Sequence, residues 1–225
     1  MSEIVISTSN LCKTYVSAAL DPVHALKSVE IAIEEGEIVG IMGPSGCGKT
    51  TLLNCLSGLD TIDDGDILIQ GKSLSDLNDD QLSEFRAKKM GFVFQTYNLL
   101  PVLNAVENVE LPLLVSGMWA KAARNKAIEK LDEVDLVKQI HQLPGELSGG
   151  QRQRVTIARA LVNDPAIVWA DEPTGNLDSE NEIEIMNLLT QMNKENNQTF
   201  VIVTHSDYVG GRANRIINMK DGEVV

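Results

Sequence analysis

Residues 43–51 read Gly-Pro-Ser-Gly-Cys-Gly-Lys-Thr-Thr, a spacing suited to holding an anion. Gly43, Gly46 and Gly48 carry no side chain, so successive backbone N–H groups can curl around a phosphate. Lys49 adds a mobile charge for β- and γ-phosphates, and the Thr50 hydroxyl is a ligand for Mg²⁺. Pro44, Ser45, Cys47 and Thr51 complete the loop. The implied ligand is a nucleoside triphosphate.

Other chemistry-bearing groups sit where apolar runs stop. Ala166-Ile-Val-Trp-Ala170 is followed by Asp171 and Glu172. A carboxylate at the first position suits Mg²⁺ held through water. One at the second suits a water aimed at the γ-phosphate. Gln95 and His205 end two further apolar runs, within reach of the same phosphate or its water. Leu147-Ser148-Gly149-Gly150-Gln151 opens a helix and makes a second phosphate-binding terminus. One nucleotide has no use for two such termini on one chain, so the second is expected to serve a nucleotide held by another copy.

The elements that position these groups alternate between strand and helix. Three strands are expected over Ile4 to Leu11, Val23 to Ile33 and Glu37 to Met42. Tyr15 lies between the first two, where its ring is able to stack on a purine. Leu52, Leu53 and Leu56 follow the loop at helical spacing, which supplies the positive helix end a phosphate needs. Further strands are expected at Asp66 to Gln70, Gly91 to Phe94, Ala166 to Ala170 and Thr199 to Thr204. Asp79 to Met90 and Ser179 to Met192 read as helices. Asn104 to about Leu143 reads as a helical insert in the βα alternation, and Arg215 to Val225 as strand, Asp221-Gly222 turn and strand.

Composition narrows the setting. With 225 residues and 43% hydrophobic content, the chain is long enough to bury the core of one large α/β domain, or of one domain carrying a smaller subdomain. A net charge of −13 argues against nucleic acid as the partner, which needs a basic face. Cys12, Cys47 and Cys55 are too few for a disulfide framework, so a reducing compartment is expected. The first residues lack the pattern of a signal peptide, and no apolar run reaches membrane-spanning length, so work at a membrane would need another chain to cross it.

Taken in order, these motifs resemble those of an ABC-type ATPase, the nucleotide-binding subunit of an ATP-binding-cassette system. The resemblance implies an α/β, P-loop NTPase fold: a RecA-like mixed sheet core with an antiparallel β subdomain and an inserted α-helical subdomain. The catalytic core and β subdomain would occupy about 1–94 and 163–225, and the helical subdomain about 95–162. It implies ATP and Mg²⁺ as ligands, Tyr15 as the adenine-stacking aromatic and Gly43 to Thr50 as the Walker A loop, with Thr51 touching the α-phosphate. Gln95 would contact Mg²⁺ and the attacking water. Ser148 to Gln151 would be the signature, Asp171 the Walker B aspartate, Glu172 the catalytic glutamate, Asp178 the D-loop aspartate and His205 the switch histidine. The implied partners are a second copy, arranged head-to-tail, and an integral membrane permease subunit. The chain would then be cytoplasmic and peripheral on the inner face of the cell membrane.

Gly91 to Pro101, Glu107 to Pro112 and Asp171-Glu-Pro-Thr-Gly-Asn-Leu-Asp178 are similar to the lipoprotein-release, macrolide-export and cell-division branch. Trp169 is bulkier than the aliphatic residue usual at that place and is expected to affect packing only. The alternatives are a nucleotide-gated docking ATPase of a cell-division-type complex, a soluble ABC ATPase outside transport, and a small P-loop kinase or GTPase. The compact single cassette weighs against the second, and Leu147 to Gln151 with His205 against the last.

Overall fold

Segments 38–42, 167–171 and 199–203 are apolar at nearly every position, the pattern of strands covered on both faces. A computed structural model describes residues 3–17 and 20–225. In it these segments are β4 (Ile38–Met42), β8 (Ile167–Asp171) and β9 (Thr199–Val203). They join β7 (Met90–Phe94), β10 (Arg215–Lys220) and β11 (Glu223–Val224) in a sheet ordered β11-β10-β4-β9-β8-β7. All neighbours run parallel except the β10–β11 hairpin. Successive side chains enter different cores. Ile38, Val168, Ala170, Phe200 and Ile202 face one; Val39, Ile41, Trp169, Val201 and Val203 face the other.

The second core is closed by an antiparallel sheet. Its strands are β1 (Ile4–Ser17), β2 (Leu20–Val29), β3 (Ala32–Glu34), β5 (Asp64–Ile69) and β6 (Lys72–Ser73). Two expectations need correction. Lys13-Thr14-Tyr15 is not a connection but part of β1, which continues to pair with β2 as far as Ser17 opposite Leu20. Val23 to Ile33 is two strands rather than one. Val29 pairs with Leu11 and Ala32 with Ser7, so the chain must step along β1 between them. Thr8 bridges the step: its hydroxyl donates to the Val29 carbonyl at 3.0 Å and accepts from Ile31 N–H at 2.9 Å.

Helix α1 (Lys49–Leu56) follows β4 and α2 (Asp79–Lys89) precedes β7. The segment between β7 and β8 holds α3 (Ala105–Val115), α4 (Ala120–Asp132) and α5 (Gly149–Leu161). Asn104 caps α3 reciprocally with Glu107, and Asn108 bonds the carbonyls of Leu100, Leu103 and Asn104, fixing the loop that leads from Gln95. Buried Glu110 pairs with Arg124 to join α3 to α4. These helices share a core with the sheet through Val106, Leu131, Val155, Val93 and Val168. Helix α6 (Ser179–Asn196) and the short α7 (Asp207–Gly210) are the remaining α-helices among the described residues.

Candidate active site

The parallel register decides where the polar residues gather. Phe94 lies beside Asp171, Asp171 beside Val203 and Ile41 beside Val203. Gln95, Glu172, Gly43 and the Thr204-His205 pair therefore leave one sheet edge at the carboxyl ends of the strands, where ligands bind in open α/β sheets.

The loop after β4 curls as its glycines allow. Gly43 and Gly48 take φ of 154° and 106°, and a Cβ there would lie 2.2 Å from the Met219 carbonyl oxygen and 2.4 Å from that of Ala25. A Cβ at Gly46 would meet nothing within 4 Å, so the bend faces open space. Lys49 folds its ammonium back over the loop, donating to the carbonyls of Gly43 at 2.7 Å and Pro44 at 3.0 Å. Helix α1 begins at Lys49 and directs its unpaired N–H groups at the bend. Gly222 N–H bonds the carbonyl of buried Cys47 at 3.0 Å, so the C-terminal hairpin braces the loop from outside.

Thr50 Oγ1 donates to Asp171 Oδ1 at 3.4 Å. These two hard oxygens fit Mg²⁺, which takes few protein ligands and keeps the rest of its shell for phosphates and water. Burial, then the charge of Glu172, pushes the Asp171 carboxyl above its ordinary range, and the Thr50 bond and Lys49 pull against them. Glu172 holds φ of 47°, a left-handed backbone that a residue of this type adopts only when its surroundings impose it. Its N–H is bonded to the Val203 carbonyl at 2.9 Å. Its Oε1 lies 2.7 Å from His205 Nδ1, and its Oε2 accepts from Thr204 Oγ1 at 3.4 Å.

A cavity of about 640 Å³ joins Ser45 to Thr51 with Tyr15, Glu172 and His205. Tyr15 is 42% exposed there, its hydroxyl bonded to Asp60 at 2.6 Å. Ser148, Gly149, Gly150 and Gln151 do not line it. Ser148 caps α5, accepting from Gln151 N–H at 3.2 Å while its own N–H donates to Gln151 Oε1 at 2.9 Å. Gly150 lies against Asn181, and Asp178 caps α6 by accepting from Asn181 N–H at 2.9 Å, a bond that holds its carboxyl below the usual range. Gln95 is tied to the loop before α6, its carbonyl accepting from Asn176 Nδ2 at 2.8 Å. Sequence reasoning missed Lys13 and Asp60 behind Tyr15, and His24, Lys27 and Asp221 in the cavity wall. Their only sequence signal was the Asp221-Gly222 turn.

A glycine loop at a strand-to-helix turn, a lysine over it and a carboxylate at the same end of another strand of that sheet define a P-loop nucleoside triphosphatase. The comparisons narrow the class. The ABC transporter family profile matches residues 26–175. The chain belongs to that family, and it is an ABC-type ATPase with the cassette fold. It is 47% identical over 224 residues to an uncharacterized ABC transporter ATP-binding protein of Methanocaldococcus jannaschii, MJ0796, covering 98% of this chain and 95% of that one. It is 44% identical over 224 residues to the lipoprotein-releasing system ATP-binding protein LolD of Pseudoalteromonas translucida, covering 100% and 96%. Against the macrolide export ATP-binding/permease protein MacB of Aggregatibacter actinomycetemcomitans it is 45% identical over 211 residues, 94% of this chain but 33% of that protein. The dimeric structure of MJ0796 superposes with a TM-score of 0.89 at 47% identity, covering 97% of this chain and 96% of that one. A dimeric post-hydrolysis state of MJ0796 bound to ADP and Pi gives the same TM-score, with 46% identity and the same coverage.

Proposed function

We propose that this chain is the ATP-hydrolysing subunit of a membrane complex of exporter, lipoprotein-release or mechanotransmission type. Two copies close head-to-tail over two ATP·Mg²⁺. The observation that carries this reading is the separation of two phosphate-binding helix ends on one chain: Ser45 to Thr51 line the cavity, and Ser148 to Gln151 do not. A second copy completes the site by bringing its Ser148 to Gln151 opposite the first copy's loop, and the dimeric state of the MJ0796 structures supports a pairing of copies.

In this reading Lys49 leaves the Gly43 and Pro44 carbonyls for the β- and γ-phosphates. Tyr15 stacks on the adenine, Thr51 meets the α-phosphate, and Asp178 lies at the contact between copies. Thr50, Asp171 and Gln95 would hold Mg²⁺, which supplies charge neutralisation on the phosphate oxygens when bound. Glu172 orients the attacking water and takes its proton, and His205, fixed by its bond to Glu172, holds the γ-phosphate. Catalysis is then alignment and electrostatics rather than covalent chemistry. Separation of the hydrolysed products loosens the seam, and the copies part.

No helix among the described residues is long and apolar enough to cross a membrane, so the motion is delivered to a permease subunit. Supporting the docking is a groove of about 360 Å³ lined by Phe92, Phe94, Pro112 and Arg159, next to the loop from Gln95. The names of LolD and MacB support the branch. The deciding experiment measures molar mass by light scattering after size exclusion, with and without ATP, on the Glu172→Gln variant. An ATP-dependent doubling of mass is expected, and a monomer at saturating ATP would overturn the reading.

A further inference from the structure

We infer that Lys13 and Asp60 form a positioning pair that holds Tyr15 as a pre-set platform for the purine base. The inference deepens the proposed function and rests on its reading of Tyr15.

Lys13 is unusual for a lysine in being only 6% exposed. Its ammonium donates to Asp60 Oδ1 at 3.1 Å, the Thr61 carbonyl at 2.6 Å and Thr61 Oγ1 at 3.2 Å. The other carboxylate oxygen of Asp60 accepts from the Tyr15 hydroxyl at 2.6 Å, and Oδ1 also accepts from Thr61 N–H at 2.7 Å. The Lys13 ammonium sits 5.3 Å from the centre of the Tyr15 ring, within cation–π range. Tyr15 lines the nucleotide cavity and Lys13 does not, so the charge lies behind the ring and leaves its cavity side open. Burial pushes the Asp60 carboxyl upward, but the bonds from Tyr15 and Lys13 more than offset it and hold it below the usual range.

An exposed tyrosine on a strand ordinarily samples several rotamers and must be immobilised when a base stacks on it. Here the hydroxyl is anchored and the ring is backed by a cation before any base arrives. The pair acts on the base and not on the phosphates, which sets it apart from Lys49.

The test measures KM and kcat for ATP, and inhibition by inorganic tripolyphosphate, which has the phosphates without the base. Asp60→Asn and Lys13→Met are each expected to raise the KM for ATP three- to tenfold. The kcat should stay within twofold, and tripolyphosphate inhibition should not change. In a Tyr15→Phe background, Asp60→Asn should add little, because the hydroxyl it holds is gone. An unchanged KM in Asp60→Asn would overturn the inference, as would parallel weakening of tripolyphosphate. Tyr15→Ala separates the layers: if it leaves KM unchanged, the stacking reading itself fails. If Tyr15→Ala raises KM and neither Asp60→Asn nor Lys13→Met does, only the positioning pair fails.

Discussion

Glu172 and His205 meet through a 2.7 Å hydrogen bond between Oε1 and Nδ1, although they leave different strands of the central sheet. Since Glu172 is also held in a left-handed backbone, both its position and its aim are set by β8 and β9 together. Replacing it by Gln keeps the shape and removes the proposed base. The expected result is a fall in kcat of about 10²–10⁴-fold with ATP affinity retained, read by phosphate release and nucleotide titration. His205→Ala should lower kcat and also loosen ATP, since it removes both the partner that aims the carboxylate and the proposed contact to the γ-phosphate.

Ser148 does two separable things. As the cap of α5 it accepts from Gln151 N–H, and Ser148→Ala should cost about 1 kcal/mol in chemical denaturation. Ser148→Arg should in addition bind ATP as a monomer and hydrolyse none, because a bulky cation then occupies the seam. Light scattering with ATP distinguishes the two effects.

Glu37 carries a pH dependence. Burial raises its carboxyl, but the fork from Arg215 and the Glu34 N–H outweigh that and hold it below its ordinary 4.5. The folded chain binds this proton less tightly than the unfolded one, so the pair stabilises above pH 4.5, and that stability is lost as pH falls toward the folded value. Glu37→Gln should melt about 2 °C lower at pH 7, a small effect because solvent screens the pair. The gap to the wild type should close in melts taken below pH 4.5.

Trp169 is fully buried, and its Nε1 has no hydrogen-bond partner among the described residues. Trp169→Phe removes that orphan donor together with some apolar contact, opposing effects of about 1–3 kcal/mol each. Stability within about 1 kcal/mol of wild type is expected in urea titrations, whereas Phe200→Ala from the opposite core should cost about 3–5 kcal/mol.

Strand ends were legible because apolar runs stop at charged or amide residues. That is why Gln95, Asp171 and His205 read from the sequence as the ends of strands. The course of β1 was not legible. Its irregular pairing with β2 hides the two-residue period, and Thr8 joining β2 to β3 is a contact 21 residues distant. Nor does spacing reveal what lies behind a site. Asp60 is 45 positions from Tyr15, and nothing local marks it as that ring's anchor.

The central sheet sends alternate residues of each strand into separate cores, so it stands between them like a bulkhead. The two cores have no residue in common, so packing on the helical side is separate from packing on the other. In the proposed function, traffic between the permease and the nucleotide goes round the lip, through polar crossties. Asn176 grips the Gln95 carbonyl, and Glu182 takes hydrogen bonds from both Thr174 and Ser206. The machine's wiring therefore runs along its rim, in a handful of hydrogen bonds that are easily cut and re-formed.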